Sequence, residues 1–248
     1  MIRFASRQPV AFSVLVVFVA VFLIKLLDVG LMYLPLPELA RRLIVEAAFG
    51  AYVAFLLVIL RWWRATGFKQ PATPGKLLAF LPMLFLPVVL IASNGLKLAS
   101  PDQMILFTLY TLLVGFAEEG LLRGVILHAL LPGGLKRAVL LSSLLFGIGH
   151  LTNLLQGYSP ATTIVQIIYS TLLGIGFAGV RLYTGSIWPA ILAHTLIDLG
   201  DTATRGFVLP STQPLTVAGV IAPIIITGLY ALYGWWLLRR TATGHGAA

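Results

Sequence analysis

Long apolar blocks, separated by short polar or Pro/Gly punctuation, run along the whole chain. A bilayer's hydrocarbon core, about 30 Å thick, takes ~20 apolar residues per helical span. Eight blocks fit that pattern: Val10 to Leu27, Leu43 to Arg61, Leu77 to Ala92, Met104 to Leu131, Ala138 to Leu155, Thr162 to Tyr183, Ile187 to Leu199 and Leu215 to Leu238. The fourth is long and the seventh short. The first exceeds a signal-peptide core and is followed by no small-residue cleavage site, so it reads as a retained span. The pattern predicts an all-α polytopic membrane protein of about eight transmembrane helices. One domain is expected over residues 1–241, with a short polar tail over 242–248.

Composition agrees with this pattern: 59% of the 248 residues are hydrophobic and 10% charged, and the mean hydropathy is +0.98. The net charge of +9 would suit a nucleic-acid binder if it were clustered. It is scattered over short loops instead, so it marks topology and no nucleic-acid partner is expected. With the N-terminus inside, Arg3, Arg7, Arg61, Arg64, Lys69, Lys76, Lys136, Arg137, Arg181, Arg239 and Arg240 fall on the inner side. Lys25, Arg41, Arg42, Lys97 and Arg205 fall on the outer side. That asymmetry predicts cytoplasmic termini, and the membrane expected is the plasma (inner) membrane of a prokaryote. Trp62, Trp63, Trp188, Trp235 and Trp236 sit near span ends, as interfacial anchors do. Cysteine is absent, which removes disulfides, thiolate metal sites and thiol nucleophiles.

An ionisable side chain near the bilayer centre costs at least ~2.5 to 3.5 kcal/mol, so such residues face the bundle interior and mark function. The deep ones are few: Glu118, Glu119 and Arg123 in the fourth span, His150 in the fifth, and His194 with Asp198 in the seventh. At 1.5 Å per residue, Glu118, His150 and His194 can share one slab of the membrane. Glu119 and Arg123 stand at i and i+4 and can pair, which leaves Glu118, about 100° around the helix, free to point elsewhere. The pair by itself suits a structural and a catalytic role equally. His194 and Asp198 repeat the i, i+4 spacing, with Asp201 one turn on. A carboxylate one turn from an imidazole can orient it or join it in binding. Glu46 and Asn94 lie close enough to span ends to read as interfacial, and His128 and His245 as a span-end and a tail residue. Glycines at 115, 120, 124, 147, 149, 174, 176 and 179 allow helices to approach closely.

A spare glutamate and two histidines from three helices can activate water, directly or on a divalent metal held by Glu118, His150 and His194. The chain has no HExxH, no GxGD and no serine in a GxSxG setting. It does carry EExxxR at Glu118 to Arg123, FxxxH at Phe146 to His150 and HxxxD at His194 to Asp198, in that order.

This order resembles the CPBP family of intramembrane proteases. That family includes the type II CAAX prenyl endopeptidases and the bacterial members linked to bacteriocin processing and self-immunity, often called the Abi family. The motif-bearing core covers about residues 104–200. The resemblance implies an intramembrane endopeptidase, commonly classed as a metalloprotease, in which Glu118 activates water with help from His150. Glu119 and Arg123 would support the site. His194 and Asp198 match the third motif, whose last position is Asn or Asp. Where it is Asn, an amide can donate to the oxyanion; an ionised Asp198 cannot, and must be protonated, orient His194 or help bind a metal. The implied cofactor is a divalent metal such as zinc, with a metal-free Glu/His mechanism as the alternative. The implied partners are the bilayer and a peptide or protein substrate, prenylated or membrane-embedded. Two other functions fit the same residues: a proton-coupled transporter using them as a relay, and a non-enzymatic scaffold or immunity protein.

Overall fold

The computed structural model describes residues 1–71, 73–97, 100–205 and 216–243, without the side chains of Arg205, Ala218, Ala242 and Thr243. Regular structure in this part of the chain is helical throughout. A short α1 (Ile2–Arg7) leads into α2 (Pro9–Leu31) and α3 (Glu38–Leu60). A 3₁₀ stretch (Pro74–Leu84) runs into α4 (Phe85–Asn94), and α5 (Pro101–Glu119) passes through a π-helical segment (Gly120–Ile126) into α6 (Leu127–Leu130). Then follow α7 (Leu135–Gly149), α8 (Pro160–Thr184), α9 (Trp188–Arg205) and α10 (Val217–Thr243). The expected tail beyond Thr243, with His245, lies outside the described residues, as does the start of the last span at Leu215.

Local sequence sets several of these boundaries. Ser100 caps α5 by accepting from the Gln103 N–H, and the Gln103 side chain accepts from the Ser100 N–H, with Pro101 as first helical residue. Ser159 caps α8 by accepting from the Thr162 N–H, with Pro160 as first helical residue. Pro82 and Pro87 disturb the helix between them, and Tyr230 of α10 repairs the junction: its hydroxyl donates to the Met83 carbonyl and accepts from the Leu86 N–H.

Among the described residues, seven helical stretches are long and apolar enough to cross a membrane: Pro9–Leu31, Glu38–Leu60, Pro74–Asn94, Pro101–Gly133, Leu135–Gln156, Pro160–Thr184 and Gly219–Thr241. Their outward faces carry large exposed apolar side chains such as Phe18, Phe55, Val88 and Ile105, as lipid contact demands. The protein is therefore an integral membrane protein. The seventh expected span forms as α9, but it is not apolar enough for that group. The reason is its setting: Ala190, Ile191, Ala193 and Ile197 are buried against protein, so polar residues on α9 meet other helices rather than hydrocarbon.

One end of the bundle is laced together. Arg181 of α8 donates to the carbonyls of Thr66 (2.9 Å) and Ala65 (3.3 Å), and the Ile187 N–H donates to Gly67 (2.9 Å). Ala5, Ser6, Trp62, His128 and Pro132 line one cavity at this end. The α1 helix, the 61–69 loop, the 131–134 turn and the 184–187 turn thus share a side.

Candidate functional site

The site is built where α5 meets α9, and bare backbone sets their separation. A Cβ on Gly115 would stand 2.8 Å from Thr195 Oγ1 and 3.1 Å from the Ile191 carbonyl, so only glycine permits this approach. One turn along α5, Glu119 Oε1 receives the Arg123 guanidinium at 3.1 Å, both side chains being 0% exposed. The expected i, i+4 pair is present. The same oxygen also accepts from His194 Nδ1 at 2.9 Å. An ion-paired Glu119 is an acceptor only, so Nδ1 carries the hydrogen in this contact.

His194 is consequently held from both edges of its ring. Its Nε2 faces Glu118 Oε2 at 3.6 Å and Asp198 Oδ2 at 3.4 Å. Three lone-pair-bearing atoms at that spacing would repel, so Nε2 and the two carboxyl groups share at least one proton. Glu118 and Asp198 keep 27% and 34% of their side chains exposed, against 0% for Glu119. The two open carboxyl groups therefore border the accessible space, and Glu119 lies behind them.

His150 ends α7, and its Nδ1 stands 3.0 Å from the Phe146 carbonyl of its own last turn. A backbone carbonyl only accepts, so Nδ1–H donates and Nε2 is left with its lone pair. His150 lies within electrostatic range of His194 and Asp198. Thus Glu118, Glu119, Arg123, His150, His194 and Asp198 all belong to one polar region. Asp201, one turn beyond Asp198, is exposed. His128 packs edge-on against Trp62 at 4.7 Å, in the cavity at the laced end.

The structure adds groups that spacing did not reveal. Helix α3 begins at Glu38, five residues before the expected start at Leu43, so Glu46 sits two turns inside it. From there it is within electrostatic range of Glu118 and Asp198. The π-helical turn begins immediately after Glu119 and contains Arg123; such turns collect at functional sites. Phe146 and Phe177 enclose Arg123 and His194. A motif search finds Phe146 through FxxxH, whereas Phe177 lies in no motif.

Among the described residues no three His, Cys, Asp or Glu side chains are placed to hold one ion. The residues as arranged do not fit the three-ligand site expected of Glu118, His150 and His194.

Fold and site together define an α-helical integral membrane protein with a carboxylate–imidazole cluster inside its bundle. Residues 100–200 match the family model described as Type II CAAX prenyl endopeptidase Rce1-like. All three motifs fall inside that segment, and the match agrees with the expected likeness to the CPBP intramembrane proteases. The matched family is one of peptide-bond hydrolases. Comparison with curated proteins and with solved structures gives no match.

Proposed function

We propose that the chain is an intramembrane endopeptidase that hydrolyses a peptide bond with water activated by Glu118 and His150, without a metal. The observation that carries this reading is the clamping of His194 by Glu119 at one ring nitrogen while the other faces Glu118 and Asp198. In the proposed reaction a water enters between Glu118 and His150 Nε2. Glu118 takes its proton as oxygen attacks the carbonyl carbon, and the C–N bond breaks as that proton passes to the leaving amine. His194 Nε2–H is the donor nearest the developing oxyanion, and a preorganised donor in a dry site is worth several kcal/mol. Asp198, which has no hydrogen to give when ionised, keeps Nε2 protonated and aimed; this is how the site works without an amide at that position.

The substrate proposed is a peptide that reaches the cluster from the membrane or its cytoplasmic side, a prenylated C-terminal segment being the class that the family's name suggests. The charge asymmetry of the loops supports cytoplasmic termini, with the laced end of the bundle facing the cytoplasm of a prokaryotic cell. The test uses purified protein in nanodiscs with prenylated and unprenylated peptides. Cleavage by the parent and its loss in Glu118→Ala and His150→Ala are expected. Variants that cleave as well as the parent would overturn the assignment.

A further inference from the structure

No motif residue lies on α8, yet α8 forms one wall of the site. Phe177 is fully buried, and its ring lies nearly parallel to the His194 imidazole, 17° between planes with centroids 5.2 Å apart. The same ring stands 5.4 Å from the Arg123 guanidinium carbon. Phe146 closes the other side, 4.3 Å from that carbon and edge-on to His194 at 5.9 Å. One turn before Phe177, on the same face, Gly174 lets Arg123 in: a Cβ there would stand 2.6 Å from Arg123 Nη2.

These contacts answer two needs. Arg123 is fully buried, and among the described residues its Nε and Nη2 have no hydrogen-bond partner, so a cation taken out of water rests on aromatic faces, whose π clouds attract it. His194, tied at Nδ1 to Glu119, can still turn about that bond, and the turn moves Nε2 relative to Glu118 and Asp198. A parallel ring across its face removes that freedom.

We infer that Phe177 is a positioning residue, whose ring sets the plane of His194 and stabilises the Arg123 charge that holds Glu119. The inference rests on the peptidase reading for its consequence in rate, and on the geometry alone for its consequence at His194.

The experiment compares Phe177→Leu, which keeps apolar bulk, with phenylalanines of increasing ring fluorination placed at position 177, which keep the shape and drain the π face. Expected is a stepwise fall in kcat along the fluorination series, with Phe177→Leu lowest at about tenfold or more below the parent, and KM within about twofold of it. In parallel, ¹⁵N-histidine spectra, in which His194 is identified by its loss in His194→Gln, report which ring nitrogens carry protons. The Nδ1 and Nε2 signals of His194 should move in step with the series while those of His150 stay. A series flat in kcat and in the His194 signals would overturn the inference, even if Phe177→Leu alone fails to fold. Should the parent cleave no peptide, the peptidase reading fails, and the ¹⁵N series decides the positioning role by itself.

Discussion

His194 Nδ1 and Glu119 Oε1 meet at 2.9 Å across 75 residues of sequence. This contact joins the first motif to the third, and through Arg123 it makes an unbroken chain of guanidinium, carboxylate and imidazole. The carboxylate that pairs the arginine is the one that orients the histidine.

Breaking one member of that chain should cost more than replacing both ions. Arg123→Leu or Glu119→Leu leaves a buried charge without its partner, for which about 3–5 kcal/mol of lost stability is expected. The double variant should lose less than the sum of the singles. Denaturation in detergent micelles measures all three, and additive losses would show that the two ions are not coupled.

Glu118 carries no such structural duty. Replacement by Gln keeps its shape and removes the base, so kcat should fall by about 10²–10⁴ with KM and melting temperature close to the parent. Melting that drops along with kcat would mark Glu118 as part of the structural brace instead.

Asp198 works through His194, so the variants at 198 separate its roles. Asp198→Asn retains a polar group against Nε2 and supplies an N–H of its own; its rate should stay within about tenfold of the parent. Asp198→Ala leaves Nε2 with Glu118 alone and should fall well below Asp198→Asn. Equal rates for Asn and Ala in a peptide assay would remove the orienting role.

Chelation tests the metal-free mechanism directly. Treatment with 1,10-phenanthroline followed by desalting should leave cleavage unchanged, and added zinc should not raise it. Loss of activity on chelation, restored by zinc alone, would show that the side chains regroup around an ion.

Gly115→Val should separate α5 from α9, because the added carbon meets Thr195 and the Ile191 backbone, and backbone cannot yield cheaply. Both cleavage and melting temperature should drop. Gly30→Ala in α2, where a Cβ meets nothing within 4 Å, is the control and should change neither.

Hydrophobic block length and i, i+4 spacing carried most of the architecture and the local half of the site. The spans, the Glu119–Arg123 pair and the succession of three motifs all depend on residues close in sequence. What escaped depends on distance between helices. The His194–Glu119 contact exists because Gly115 admits α9, and a glycine in a transmembrane helix has many other uses. Phe177 is one aromatic residue among 14 phenylalanines, with nothing at helical spacing to distinguish it from lipid-facing ones. Glu46 read as interfacial because apolarity began at Leu43, whereas the backbone had already entered the helix at Glu38. The π-helical turn at Gly120–Ile126 has no composition that announces it.

The low apolarity of α9 also bears on how the protein is made. A segment bearing His194, Asp198 and Asp201 does not partition into hydrocarbon by itself. The helices that wall it, α4, α5 and α8, all precede it in the chain, so during synthesis its shelter is already in the membrane when it emerges. The buried ions thus assemble only as α9 docks, and a nascent chain truncated before Trp188 would hold Arg123 and Glu119 beside an unfilled flank, a natural target for membrane quality control.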